Sequence, residues 1–202
     1  MQVSVKENRQ HYLGGSDLVV LMGISPYKTR FELLQEKSGL KPIEDVENEY
    51  TIYGNTFEPF IRNYINDSFG KNYREDKLEV ENEVLPIRCH FDGICRESIL
   101  EIKTTGALKK TIEDYKGYLV QLLFYMMNAK KDKGMLCVYK RNYTKNVGFD
   151  KDFNSNNLQI FLIDIDNFKN LVWEIETEVE RFRNDLKKLK ENPFLTEEEL
   201  GE

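Results

Sequence analysis

Apolar positions along the 202-residue chain change period several times, and each change marks an element. Ser16 reads as the cap of a short helix through Leu18, Val19, Val20 and Leu21, with Gly23 as its stop. Thr29-Arg30-Phe31-Glu32 has the form of a capping box and opens a second helix that ends near Ser38-Gly39. The acid-rich stretch from Lys41 to Thr51 reads as a loop. A third helix is expected behind it, capped by Asn55 or Thr56, with Pro59 in its first turn and Phe57, Ile61, Tyr64, Ile65 and Phe69 at helical spacing. Strands follow near Lys71 to Val80, Val84 to Phe91 and Ile99 to Lys103. A helix through Tyr115 to Tyr125 comes next, then strands near Met135 to Tyr139 and Leu158 to Ile165. Asn142 to Asn157 is a polar connection. In the last helix Val172, Ile175, Val179, Phe182, Leu186 and Leu189 recur at three and four spacing until Asn192-Pro193, a seam expected to pack on the sheet.

The strand at Ile99 to Lys103 carries the most chemistry. Alternate side chains leave opposite faces, so Glu101 and Lys103 emerge together while Leu100 and Ile102 can enter a core. Asp92 precedes Gly93, read as a turn, and a hairpin would bring its carboxylate toward Glu101. Two converging carboxylates repel each other and suit a hard divalent cation, which takes oxygen ligands. A lysine beside them can orient or deprotonate an attacking water or offset charge on a phosphate. Taken alone, Glu-x-Lys is as readily a solvated pair. Other segments add to it. Glu58 is either a third site carboxylate or an acid complementing a helix start. Gln121 shares a helix stripe with Tyr118 and Tyr125 and, if buried, needs a hydrogen-bond partner; it could orient a water. Arg9 and the Gly14-Gly15-Ser16 turn suit a phosphate, although a short capped helix needs no ligand.

Taken together, these motifs resemble the YqaJ-type viral recombinase family, which includes the phage lambda exonuclease and belongs to the PD-(D/E)xK nuclease superfamily. The resemblance rests on Arg9 with Ser16 seven residues on, Gly-Gly-Ser-Asp, Ser25-Pro26-Tyr27-Lys28-Thr29, Gly54-Asn55-Thr56-Phe57-Glu58-Pro59, Phe91-Asp92-Gly93, Glu101-Ile102-Lys103-Thr104 and Tyr118-Leu119-Val120-Gln121. It runs from about Arg9 to Gln121, with one departure: His90-Phe91 stand before Asp92, where the family usually has a small residue and proline. The resemblance implies that Asp92, Glu101 and the Ile102 carbonyl hold a metal with Glu58 completing the site, that Lys103 acts on the attacking water beside Gln121, and that Arg9 and Ser16 hold the 5′ phosphate of a DNA end. It further implies Mg2+, with Mn2+ able to substitute, 5′ to 3′ digestion of duplex DNA, a homotrimer and a single-strand annealing protein as partner.

Composition narrows the classes. With 40% hydrophobic and 12% aromatic residues, one soluble nuclease domain over residues 1–202 is expected. No apolar run reaches membrane-spanning length and MQVSVKENRQ has no signal-peptide core, so a cytoplasmic protein of a bacterial or phage-infected cell is expected. Cys89, Cys95 and Cys137 are odd in number and lack metal-ligand spacing; reduced thiols are the default, and the related iron-sulfur exonucleases, which need four clustered cysteines, are disfavoured. A net charge of -6 requires any DNA-binding charge to be local, with Lys28 and Arg30, Lys103, Lys109 and Lys110, or Lys130, Lys131 and Lys133 as candidates. The reading is an α/β fold, a mixed central sheet flanked by helices with a PD-(D/E)xK restriction-endonuclease-like core, working as a metal-dependent DNA exonuclease in recombination. The alternatives are a structure-specific or restriction-type endonuclease and a DNA-end binding module without turnover.

Overall fold

The computed structural model describes residues 8–43, 48–144 and 148–201. The helices are α1 (Asp17–Leu21), α2 (Arg30–Ser38), α3 (Glu49–Phe69), α4 (Lys116–Asn128), α5 (Lys169–Glu191) and α6 (Glu197–Leu200). The strands are β1 (Leu13–Gly14), β2 (Arg74–Val80), β3 (Ile87–Ile94), β4 (Ser98–Thr105), β5 (Lys133–Lys140), the short pair β6 (Tyr143–Thr144) and β7 (Gly148–Phe149), and β8 (Leu158–Asp164). The main sheet runs β1-β3-β4-β5-β8 with β2 also on β3. β4 and β5 are parallel with α4 as their crossover, while β2-β3, β3-β4 and β5-β8 are antiparallel, so the sheet is mixed as expected.

The alternation in β4 sorts the two cores. Leu100 and Ile102 join Tyr53, Phe57, Ile61 and Ile65 of α3, whereas Ile99 faces the core built with α4. α5 was expected on the sheet. It instead packs mainly on α1, α2 and α4, because α4 already covers that face with Val120, Leu122, Leu123 and Met126, and α5 forms an outer layer. Arg30 pins the layer by reaching Asp185 at 3.1 Å and lying over the Phe182 ring, so it is structural rather than part of a basic channel. Lys28 is likewise engaged, 2.7 Å from Glu36.

Three local expectations need correction. α3 begins at Glu49, not at Asn55 or Thr56, because the Asn48 side-chain Oδ1 accepts from the Tyr50 and Thr51 amides and the apolar face continues through Tyr53, stacked on Phe57 at 4.3 Å. Thr56 bonds back to the Ile52 carbonyl instead of capping. Pro59 is inside the helix, where the carbonyl it orphans belongs to exposed Asn55 and can meet water. The expected loop over Lys41 to Thr51 therefore ends at Asn48; residues 44–47 lie outside the described ones. Gly93 is not a turn: β3 runs on to Ile94, and the chain reverses at Cys95, whose amide bonds to the Ser98 carbonyl. A Cβ on Gly93 would lie 2.9 Å from that of Tyr73 and 3.1 Å from that of Leu100, so close approach explains this glycine. Ser16 makes no side-chain cap; its hydroxyl accepts from Arg9 instead. The capping box at Thr29 and the left-handed Gly39 stop are as read.

Candidate active site

The site begins where two strands part. β3 and β4 pair only at Gly93 with Leu100 and Ile94 with Ile99, then diverge. Ile87 pairs with both β1 and β2, and Ile94 with both β2 and β4. β1 and β4 therefore share one edge of β3, at opposite ends, and between them lies an open wedge. Asp92 stands at its apex. Its Oδ2 accepts the Ile102 N–H at 2.7 Å, a backbone donor that a closed ladder would have given to β3.

Glu101 is fully buried in the wedge. Lys103 Nζ lies 2.6 Å from Glu101 Oε1, while Oε2 meets no hydrogen-bond donor among the described residues. Burial, and then the Asp92 charge, push the Glu101 carboxyl up to about 8. Asp92 is also raised by burial, against the pull of Lys103 and the Ile102 amide. Burial alone would lower the Lys103 pKa, but Glu101 and Asp92 outweigh it and raise it, so the ammonium keeps its proton. Glu58 is pushed up to about 7 by burial and by Asp92, placing it within electrostatic reach of the pair from mid-helix rather than from a helix start. Its carboxylate is engaged by Arg62 at 2.8 Å, and no three His, Cys, Asp or Glu side chains among the described residues converge as a metal-holding group.

Arg62 is the residue that the sequence reading missed. It is buried beneath the wedge and donates to Glu58, to Glu75 and to the Asp92 carbonyl, fixing the strand position of the apex. Its signal was the Glu58-Arg62 spacing of four on a helix. On the other side, Gln121 is buried and bonds the Tyr125 hydroxyl at 3.2 Å, which supplies the partner its burial demands.

The N-terminal turn closes the open end of the wedge. Arg9 Nη2 donates to Ser16 Oγ at 3.0 Å. Asp17 accepts the Gly14 N–H at 2.9 Å and pairs at 2.8 Å with Lys37, whose ammonium is fully buried and also donates to the Arg9 and Tyr12 carbonyls at 2.9 and 2.6 Å. Gly15 is packed against the Tyr125 ring, where any Cβ would lie 2.6 Å from ring atoms. A cleft of about 680 Å³ results, with Arg9, Ser16, Arg88, His90, Gln121 and Tyr125 among its walls. The sequence-predicted residues thus form two adjacent groups, Asp92, Glu101, Lys103 and Glu58 in the wedge and Arg9, Ser16 and Gln121 around the cleft beside it. Of the other basic residues considered, Lys109 donates to the Asp114 carbonyl, Lys131 to that of Arg96, and Lys133 pairs with Asp164.

The donor set fits a hard divalent cation: buried carboxylate oxygens, one of them without a donor, carrying mutual repulsion that such an ion would relieve. All three cysteines are free thiols, two of them buried. Among the described residues no helix is long and apolar enough to cross a membrane.

The family model described as YqaJ-like viral recombinase domain matches residues 6–132. The uncharacterised protein YqaJ of Bacillus subtilis (strain 168) is 30% identical over 125 residues, 58% of this chain but 39% of that protein's length. Among solved structures, LHK-Exo in complex with dAMP superposes with a TM-score of 0.64 at 20% identity over 91% of each chain. A phage-related exonuclease from Haemophilus somnus 129PT gives 0.58 at 16% identity, covering 88% of this chain and 95% of that one. At these identities the likeness establishes the fold. The chain belongs to the YqaJ-like viral recombinase domain family.

Proposed function

We propose that this member of the YqaJ-like viral recombinase domain family is a metal-dependent deoxyribonuclease that digests duplex DNA from a free end, 5′ to 3′, in phage-type recombination. The observation that carries the reading is the wedge: a fully buried carboxylate, a partly buried one that repels it and a protonated lysine where β3 and β4 part, beside a cleft with a guanidinium and a hydroxyl on its wall. Asp92, Glu101 and the Ile102 carbonyl would hold a magnesium ion, or manganese in its place, which when bound supplies a Lewis acid for phosphodiester hydrolysis. The residues of the chain do the rest. Lys103, held beside Glu101, offers positive charge where negative charge develops on a phosphate and orients the attacking water. Because its proton is firmly held, orientation and charge stabilisation fit it better than proton removal. Gln121 presents its amide to the same cleft as Arg9 and can align water or phosphate there. Arg62 sets the depth of Asp92 and draws Glu58 toward its charged form against burial and Asp92. Arg9 and Ser16 hold a terminal phosphate, so each cleavage exposes a new 5′ phosphate to the same cleft.

That two proteins of the same fold, LHK-Exo and the Haemophilus somnus protein, are an alkaline exonuclease and a phage-related exonuclease supports the activity. The homotrimer, the single-strand annealing partner and cytoplasmic action in a bacterial or phage-infected cell are carried by the family resemblance alone. Digestion of plasmid DNA with magnesium tests the reading. Loss of linear duplex with closed circles spared is expected, and chelator abolishes it. Cutting of closed circles would make the protein an endonuclease, and no cutting of either form would make it a binding module.

A further inference from the structure

A second cleft, of about 720 Å³, lies beyond the far end of β4, on the α3 side of the sheet. Its walls are aromatic and basic. Tyr143, on the short β6-β7 pair, is 61% exposed, and Tyr50, in the first turn of α3, is 48% exposed. Phe149 sits between them, 5.2 Å from the Tyr143 ring and 5.8 Å from that of Tyr50. The Arg141 guanidinium lies 4.6 Å over the Tyr50 ring, and Lys140 is exposed beside it.

Nothing in the hydrolytic wedge uses these groups, and two exposed tyrosines joined through one ring are costly to leave facing water. Their place in the fold says what they serve. Arg141 donates to the Thr104 carbonyl and hydroxyl at 3.3 and 3.1 Å, and Thr104 follows Lys103 directly. Gly106 on the cleft wall is three steps along the chain from Lys103, about 10 Å along an extended strand. That is the length of about three stacked nucleotides. The local charge suits a phosphate backbone: of the nearby acids, Asp150 is turned inward to Tyr53 Oη at 2.8 Å and Asn142 at 3.0 Å, and Glu49 is left on the rim.

We propose that this cleft is a stacking platform for unpaired nucleotides of the DNA strand that passes the metal wedge, with the Tyr143 and Tyr50 rings taking base faces and Arg141 and Lys140 the phosphates. Every base has a π face, so the platform is indifferent to sequence, as digestion of arbitrary DNA requires. The inference rests on the nucleic-acid reading of the site, but its test needs no hydrolysis. In chelator, fluorescence anisotropy compares a labelled thymidine 12-mer with an abasic 12-mer of the same phosphate count. Wild-type protein should bind the thymidine strand about 5- to 150-fold more tightly, the contribution of a stacked base. Tyr143→Ala should remove most of that preference and Tyr143→Phe should keep it. Equal binding of the two probes by wild type, or an unchanged preference in Tyr143→Ala, overturns the platform. A change in the oligomeric state of Tyr143→Ala with unchanged affinity also overturns it, by making this face a protein interface. If the stacking preference is found but linear DNA is not digested with magnesium, the exonuclease reading fails and the platform stands.

Discussion

Two buried acids, Asp17 and Glu101, meet opposite fates in this molecule. Asp17 is matched: Lys37, the Gly14 amide and Arg9 surround it, and the Lys37 ammonium fills its remaining capacity with two backbone carbonyls. Glu101 is not matched, since it faces a second carboxylate, has one lysine contact and leaves one oxygen without a donor. A satisfied buried charge network rigidifies, whereas an unsatisfied one costs folding energy unless a ligand completes it. The N-terminal turn is therefore built to hold shape, and the wedge to receive charge.

The largest expected effects come from filling the wedge's deficit by mutation. Asp92→Asn or Glu101→Gln should lower hydrolysis by on the order of 1,000-fold or more, several kcal/mol of lost transition-state stabilisation. The metal-free variants should nonetheless match or exceed the wild type in thermal stability at pH 8. The sign follows from the direction of the shift. Glu101 titrates at about 8 in the fold and near its usual 4.5 when unfolded. The unfolded chain therefore releases its proton first, and wild-type stability falls as pH rises through that window. Glu101→Gln removes this slope, so thermal melts from pH 4.5 to 8 should converge at the acid end. Melts that diverge there, or a less stable variant at pH 8, would count against a wedge under repulsion.

Lys37→Met should do the reverse. It leaves Asp17 and two carbonyls buried without their donor, and breaking such a pair costs about 3 to 5 kcal/mol. Pairing it with Asp17→Asn should recover part of the loss, because the double variant no longer buries an unpaired charge. Denaturant unfolding of the two variants checks this; equal stability of the single variant and wild type would show the cradle to be loosely held.

How much of this contrast was legible beforehand follows from what kind of signal each part leaves. Glu101 and Lys103 could be read because strand alternation places them on one face, and Asp92 because an Asp-Gly sequence stood nearby. The turn inferred at Gly93 was wrong, since a glycine required by a close neighbour looks the same in sequence as one required by a turn. The start of α3 was missed because Asn48 caps as well as Asn55 could, and only the packing of Tyr53 on Phe57 decides between them. β1, two residues long, has no period to detect, yet it shares the edge on which β3 and β4 part. Arg62 left only its spacing of four from Glu58, and Lys37 left no signal, because the contacts by which each holds the fold run to backbone carbonyls far away in sequence, which no side-chain pattern records.

The smallest effect sharpens the contrast most, because it falls on a residue of the cradle that is not needed to hold it. Arg9 is half-exposed, bonds Ser16 and lies 3.5 Å from Asp17, which Lys37 already satisfies. Arg9→Ala should therefore change stability by no more than about 0.5 kcal/mol, as surface substitutions do. Its effect should appear only where a ligand carries charge to the cleft. A guanidinium contact to a terminal phosphate contributes about 1.5 to 3 kcal/mol, so digestion of 5′-phosphorylated duplex should slow by about 10-fold or more. Duplex with 5′-hydroxyl ends lacks the dianion and should be a poor substrate for wild type, losing little more in the variant. Rates on both kinds of end, for both proteins, separate the possibilities. Equal wild-type rates on the two ends, or an equal loss on both, would take the phosphate out of the cleft and leave Arg9 as a surface residue bonded to Ser16.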